Sequence, residues 1–251
     1  MEKFTRLFVF TVMALPIFTS CNFLSRHTIR GSYQIVDKEI KVSDYDEIVV
    51  GLAANVIYQQ FSDSVPYLQI NTDDNILSAL DIRVEGNQLI IEAKPDSVIR
   101  PTELTIYTNS RNLRKAWIRG SGDLYLRGEV NAGNFELNVS GSGNIRTDSL
   151  LCGNLEVNVT GSGNARLIGA AKESTFAVSG SGEIKAFDFL VQFLECKVSG
   201  SGNIEAYPEE QLDASVSGSG NIKYKGIPES VKSSVSGSGR IDPLTVHHDN
   251  P

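Results

Sequence analysis

The chain has 251 residues, a net charge of −7, three cysteines and three histidines. An acidic chain without a basic cluster argues against nucleic acid as a partner. The length is ample for one continuous core, and so few cysteines indicate that packing rather than disulfides stabilises the fold.

Residues 1–20 are predicted to be a lipoprotein signal peptide. Lys3 and Arg6 precede an apolar stretch, Leu7 to Phe18, and small residues then precede Cys21. This stretch is too short to span a bilayer and is typical of a secretory signal. A cysteine at this place resembles the bacterial lipoprotein signal, in which the cysteine is lipidated and becomes the mature N-terminus. The alternative is an ordinary signal peptide with an incidental Cys21. We expect a membrane partner through a lipid anchor, and we predict a tether over residues 21–40.

Residues 41–112 contain short strand-like runs without a strict repeat. Gly86-Asn87 separates two of these runs and predicts a tight turn. Residues 73–79 fit either one short helical turn or a loop. We predict irregular N-terminal rungs, continuous with the regular rungs that follow, plus a cap. A separate small β-domain is the alternative.

From residue 113 to residue 243 the chain repeats a Gly-Ser-Gly unit. The tripeptide occurs seven times, 18 to 21 residues apart, and begins at Gly120, Gly141, Gly161, Gly180, Gly200, Gly218 and Gly237. Apolar residues alternate with polar ones on both sides of each unit, which indicates strand–corner–strand with one face inward. The sequence therefore predicts an all-β fold, a right-handed parallel β-helix with about 20 residues per rung. Its domain would cover residues 41–243, and residues 244–251 would form a polar tail.

The glycines of the repeat are predicted to be structural corners. Rungs stack at about 4.8 Å, and only a residue without Cβ takes a positive φ or permits such close approach without strain. Asn follows most of the corners, where it tolerates the left-handed conformation and can form a polar ladder with its neighbours. The predicted corner residues are Gly120, Gly122, Gly141, Gly143, Gly161, Gly163, Gly180, Gly182, Gly200, Gly202, Gly218, Gly220, Gly237 and Gly239.

Cys152 and Cys196 are predicted to be free and buried. The repeat places them two rungs apart and on different sides of a rung, which exceeds disulfide reach.

Two outward columns of the repeat are charged. The acidic column contains Glu136, Glu156, Glu195 and Asp213, and the basic column contains Arg146, Arg166, Lys185 and Lys223. An acidic ladder could bind Ca²⁺ and a basic one could hold an acidic glycan, whereas the simpler interpretation is a solvated face. Two stacked carboxylates such as Glu136 and Glu156 would also suit a glycoside hydrolase. No constellation interrupts the repeat, however, so we predict no catalytic residue, no metal site and no cofactor.

Four residues are candidate binding residues: Trp117, Arg146, Arg166 and Lys185. Trp117 falls on an outward position beside Lys115 and Arg119, where an exposed indole could stack on a sugar or contact a protein. A loop that covers the indole is the alternative.

The reiterated Val-Ser-Gly-Ser-Gly-Asn-Ile, as in residues 198–204, resembles the auto-transporter adhesin head domain family of Bacteroidota, named for its glycine-isoleucine-asparagine motif. Asp46-Glu47-Ile48 and Tyr58-Gln59-Gln60 resemble the N-terminal region of that family, so the likeness covers about residues 40–242. It implies a secreted or lipid-anchored β-helical protein without an established reaction.

Surface-export signals in such bacteria are acidic residues just after the lipidated cysteine. Residues 22–26 have none, which favours the periplasmic face of the outer membrane over the cell surface. The sequence thus predicts a non-catalytic envelope protein, adhesin-like or scaffold, that binds a glycan or an envelope protein through its outward faces. The alternative is a protein that binds or degrades polysaccharide.

Overall fold

The computed structural model describes residues 27–61, 63 and 65–244. It contains one helical turn, α1 (Asp74–Leu77), and eighteen strands. In chain order the strands are β1 (His27–Arg30), β2 (Ile35–Lys41), β3 (Glu47–Val50), β4 (Asn55–Gln60), β5 (Tyr67–Asp73), β6 (Leu80–Glu85), β7 (Gln88–Ala93), β8 (Ser97–Arg100), β9 (Leu104–Ser110), β10 (Lys115–Ile118), β11 (Asp123–Gly141), β12 (Asn144–Gly161), β13 (Asn164–Gly180), β14 (Glu183–Gly200), β15 (Asn203–Gly218), β16 (Asn221–Tyr224), β17 (Ser230–Gly237) and β18 (Arg240–Pro243).

The regular part is a stack of rungs held by parallel pairing in register. Strands β11 to β15 each bend through most of one rung, and equivalent residues of successive rungs face one another, as Gly141 faces Gly161 and Gly161 faces Gly180. We call the side before each Gly-Ser-Gly corner the pre-corner face, the side after it the post-corner face, and the remaining side the third face. The predicted parallel β-solenoid is confirmed.

The two glycines of a corner are required for different reasons. Gly161 has φ +112°, in the left-handed region that favours glycine, and five equivalent first glycines share this conformation. Gly163 needs space instead, because a Cβ at that position would lie 2.2 Å from the carbonyl oxygen of Gly143 in the preceding rung. The carbonyl of Gly141 accepts N–H groups from both Ser162 and Gly163, each at 2.9 Å, which holds successive corners together.

The asparagines after the corners form ladders but are not left-handed. Outside glycine, the described residues with a positive φ are Tyr33 and Asp96. Asn164 Nδ2 donates to Asn144 Oδ1 at 2.9 Å, and Asn221 Nδ2 donates to Asn203 Oδ1 at 3.1 Å. Hydrogen bonding between rungs therefore explains these residues, and the predicted backbone role is wrong.

The core is the single column of space enclosed by the rungs. Its inward columns are mostly Val, Ile and Leu, but the rung of β13 places Ser174 where the neighbouring rungs have Leu155 and Leu194. The small Ser174 stands next to the large, fully buried Phe176, whose ring lies 6.3 Å from that of Phe189. The small side chain of Ser174 therefore compensates in volume for the large side chain of Phe176 within this rung. The Ser174 hydroxyl is buried without a hydrogen-bond partner among the described residues.

The N-terminal residues are continuous with the regular rungs but are stacked out of chain order. Strands β3 and β4 pair in parallel with β10 and β11 on one side and with β7 and β9 on the other. The rung of residues 47–60 therefore lies between the rung of residues 88–110 and the rung of residues 115–127.

Antiparallel strands close this end of the solenoid. Strand β6 pairs with β7 through a two-residue turn at Gly86-Asn87, and β5 pairs with β9. Strand β2 adds to β5 in antiparallel orientation, whereas β1 and β8 pair in parallel as a separate two-stranded sheet. Residues 27–40 therefore belong to the folded body, and the prediction of a tether does not hold for them, because their backbone groups are paired with those of the cap.

Asp73 joins three segments of this cap. Its side chain is fully buried and accepts N–H groups from Tyr33 at 2.8 Å and from Thr102 at 2.7 Å. Burial by itself would raise the pKa of the Asp73 carboxyl, but the hydrogen bonds from Thr102 and Tyr33 outweigh it and lower the pKa below the ordinary value of 3.8.

Because the folded state holds this carboxyl ionised, Asp73 stabilises the protein above the ordinary pKa and loses that contribution as the pH falls through the lowered pKa. We expect Asp73→Asn to lower the urea midpoint at pH 7, and the difference from the wild type to shrink towards pH 2. Urea unfolding followed by circular dichroism at both pH values measures this. An unchanged difference would show that the carboxylate charge plays no part.

Both described cysteines are free, as predicted. Cys196 is fully buried, whereas Cys152 is only half-buried on the third face. Burial raises the pKa of the Cys152 thiol to about 12 and also raises that of Cys196, which keeps both thiols protonated and unreactive at neutral pH.

Candidate binding face

A row of side chains runs across the strands of the post-corner face. Each member comes from one rung, and neighbouring members are register partners in adjacent strands. In spatial order the members are Tyr107, Ile57, Tyr125, Arg146, Arg166 and Lys185. We call this set the basic–aromatic row. It lines a shallow groove of about 820 Å³.

The cations of the row are exposed and largely unneutralised. Among the described residues, no carboxylate lies within 4.0 Å of the guanidinium of Arg146 or Arg166, whereas Lys185 Nζ lies 3.2 Å from Glu183 Oε2. In-register pairing stacks the three cations at about 4.8 Å per rung. Like charges at this spacing repel one another, so an anion in the groove would be stabilised.

Asp148 fixes the central aromatic ring of the row. The hydroxyl of Tyr125 donates to Asp148 Oδ1, and the other carboxylate oxygen accepts the N–H of Gly128 at 2.9 Å. The hydrogen bond to Asp148 is the main reason why the pKa of Tyr125 is raised. The phenol stays protonated and its ring has a defined position beside Arg146.

The structure separates Trp117 from the other predicted binding residues. Trp117 lies on the pre-corner face and is only half-exposed. The guanidinium carbon of Arg119 lies 4.0 Å from the centre of its ring, and its Nε1 donates to Ser140 Oγ at 3.1 Å. These contacts occupy the indole, so Trp117 is not part of the candidate face.

Sequence analysis did not identify Tyr107, Ile57 and Tyr125 as members of the row. Tyr107 and Ile57 come from irregular rungs without the Gly-Ser-Gly signal, and only the stacking order brings them next to Tyr125. The signal that could have found them is the alternation of apolar and polar residues in β4 and β9. Aligning these two strands on the repeat would have placed Ile57 and Tyr107 on outward positions.

The acidic column lines a groove of about 730 Å³ on the pre-corner face. Its carboxylates are partly neutralised by neighbours, since Lys115 Nζ lies 2.8 Å from Glu136 Oε2 and Lys197 Nζ lies 2.6 Å from Glu195 Oε1. Although burial opposes it, the hydrogen bonds from Lys115 and Asn138 lower the pKa of Glu136. A glycosidase acid needs a raised pKa, so Glu136 is unsuited to that role.

The described residues contain no group of three or more His, Cys, Asp and Glu side chains that could hold a metal ion. No helix within the described ranges is long and apolar enough to cross a membrane. The predicted lipidation site, Cys21, the signal peptide and most of the polar tail lie outside the described residues.

Comparison with known proteins gives a consistent result. A family model described as "Putative auto-transporter adhesin, head GIN domain" matches residues 44–228. A crystal structure described as a putative lipid binding protein from Parabacteroides distasonis ATCC 8503 is 35% identical, with a TM-score of 0.76, and the match covers 87% of this chain and 100% of that one. A putative adhesin from Bacteroides fragilis NCTC 9343 is 29% identical, with a TM-score of 0.82, over 86% of this chain and 100% of that one. No curated protein matches the chain.

The similar structures are thus described as adhesins or binding proteins and share the solenoid. These descriptions support a binding role, in agreement with the coarse prediction made from the repeats.

Proposed function

Because this chain belongs to the family described as "Putative auto-transporter adhesin, head GIN domain", we propose that it is a non-catalytic, lipid-anchored protein of the cell envelope that binds a partner through an outward face of its solenoid. The observation that carries the proposal is the basic–aromatic row, in which Arg146 and Arg166 are exposed and form no ion pair with a described residue, within a protein of net charge −7. Cations maintained in register without a carboxylate in direct contact are suited to an external partner.

The anchor in this proposal is Cys21. Six Cα–Cα steps separate Cys21 from the first residue of β1 and can span at most about 22 Å, so a lipid on Cys21 would hold the solenoid close to the membrane. This short reach favours partners within the envelope. We therefore keep the periplasmic face of the outer membrane as the preferred location, with an adhesin-like or scaffold role.

Two measurements test the proposal. Metabolic labelling with a radioactive fatty acid should label the wild-type protein and fail to label Cys21→Ala. Antibodies to a C-terminal epitope should label permeabilised cells more strongly than intact ones. Absence of lipid label would overturn the anchor, and full labelling of intact cells would move the protein to the cell surface.

A direct test of the binding role is capture of envelope components. We expect the purified protein to retain one component of an outer-membrane and polysaccharide extract, and the variant Arg146→Glu with Arg166→Glu to lose it. Equal capture by both proteins would exclude the post-corner face as the binding surface.

A further inference from the structure

We propose that the basic–aromatic row binds one chain of a linear acidic polysaccharide, laid parallel to the axis of the solenoid. This inference rests on the proposed function and specifies its ligand. The row has one side chain per rung over six rungs, from Tyr107 to Lys185, and five intervals of about 4.8 Å give a length of about 24 Å. The spacing is close to the length of one sugar unit in an extended chain.

The cationic half of the row selects for negative charge. Arg146 and Arg166 present planar guanidinium groups that bind carboxylate or sulfate through paired hydrogen bonds. Their mutual repulsion would be relieved by an anion on each of these two adjacent rungs, which a uronic or sulfated chain supplies. A row that is one residue wide suits a linear polymer better than the plane of an anionic membrane.

The other half of the row offers apolar contact. Tyr107 is 36% exposed, and Tyr125 is held in place by Asp148. The C–H face of a sugar ring packs on aromatic rings of this kind, and the phenol oxygen beside it can hydrogen-bond to a hydroxyl. A hydrocarbon tail would lack that second contact.

The asparagine ladder flanks the row within the same groove. Asn144 donates one amide hydrogen to Asp123 Oδ1 at 2.7 Å, and Asn164 donates one to Asn144 at 2.9 Å. Each amide group carries two hydrogens, so Asn144 and Asn164 each keep a second donor for sugar hydroxyls. The same position is a carboxylate in the two flanking rungs, Asp123 and Glu183. Donors, cations and aromatic rings thus line one groove.

Carboxylates limit the row at both ends. Glu205 is the register partner of Lys185 in the next rung. At the other end Tyr107 faces Gln69, which in turn faces Glu39. These acids repel a polyanion, so the favourable length is about six rungs. Asp123, Asp148 and Glu183 also lie beside the row, but each is already hydrogen-bonded or ion-paired to a neighbour.

The test uses the chain from residue 21 onward, with Cys21→Ser so that it carries no lipid. Isothermal titration calorimetry would compare galacturonic acid oligomers of two to ten units with neutral maltohexaose. We expect binding of the acidic oligomers alone, an affinity that rises with length to about six units and then levels off, and weakening by salt. Arg166→Ala should weaken binding of the acidic hexamer about tenfold or more.

The matched control is Lys172→Ala, which removes one charge from an exposed position on a different side of the same rung. It should leave the affinity unchanged, and both variants should keep the wild-type urea midpoint. Equal affinity for maltohexaose, or equal loss in the two variants, would overturn the proposed site.

Binding to phosphatidylglycerol vesicles without binding to the acidic oligomers would replace the polysaccharide by a lipid surface and leave the binding role intact. Binding to neither probe would overturn this inference, whereas failure of the proposed function would appear separately as loss of capture from the envelope extract.

Discussion

Gly163→Ala should destabilise the protein by about 3 kcal/mol, although it adds only one methyl group. The new Cβ would lie 2.2 Å from the carbonyl oxygen of Gly143 and 2.5 Å from Val139 Cγ1, far inside contact distance. The corner cannot yield, because its backbone is hydrogen-bonded to the corner of the preceding rung and its strands pair with rungs on both sides. Urea unfolding measures the loss.

Gly133→Ala is the matched control for this substitution. Gly133 lies within β11, where a Cβ would meet no atom within 4 Å, and its φ is not positive. We expect Gly133→Ala to be neutral or to stabilise by about 0.5 kcal/mol, because it restricts the unfolded chain. Equal effects of the two substitutions would contradict the crowded-corner explanation.

Phe176→Ala should cost about 4 kcal/mol of unfolding free energy, as expected for a fully buried phenylalanine. Its neighbours on the inward column, Val157 and Cys196, are smaller, and Ser174 beside it is smaller still. No adjacent side chain is large enough to fill the space, so the cavity would remain. The ring of Phe189 would also lose its aromatic contact.

Phe193→Ala provides the comparison for Phe176→Ala. Phe193 lies one rung further along and is 39% exposed. Its removal should cost less than about 1 kcal/mol in the same urea experiment. A large loss from Phe193→Ala would indicate that the exposed ring is covered by a part of the protein outside the described residues.

The regular rungs could be predicted because each corner needs glycine, in most cases for a positive φ at its first glycine and in every case for close backbone approach at its second, and these glycines are visible in the sequence. An irregular earlier rung was predicted, but its corner was not located, because it lacks these glycines. Its corner, Gly51 to Ala54, has Leu52 and Ala54 in register with Gly120 and Gly122. A Cβ is tolerated at Leu52 and Ala54 because the neighbouring rung, residues 88–110, has no corner at this place. Between Ile91 and Thr105 its chain departs from the stack and forms β8. A corner of the repeat therefore needs glycine only where it stacks on the corner of the preceding rung.

The candidate face was predictable in its regular rungs and not in its irregular ones. Tyr125, Arg146, Arg166 and Lys185 stand five residues after the first glycine of a corner, so periodicity alone aligns them. Tyr107 joins them through a stacking order that reverses chain order, which periodicity does not encode. Trp117 occupies an outward position, as predicted, but the cations beside it cover its ring.

The rung of residues 47–60 lies between two rungs that both follow it in the chain, and this position has a consequence for folding. A solenoid built in chain order would extend from one end, with each new rung templated on the last. Here β3 and β4 pair with β7 and β9 on one edge and with β10 and β11 on the other. We therefore expect the stack to grow in both directions from this rung. A nascent chain that stops before residue 115 would leave one edge of that rung as an open template for pairing with other chains.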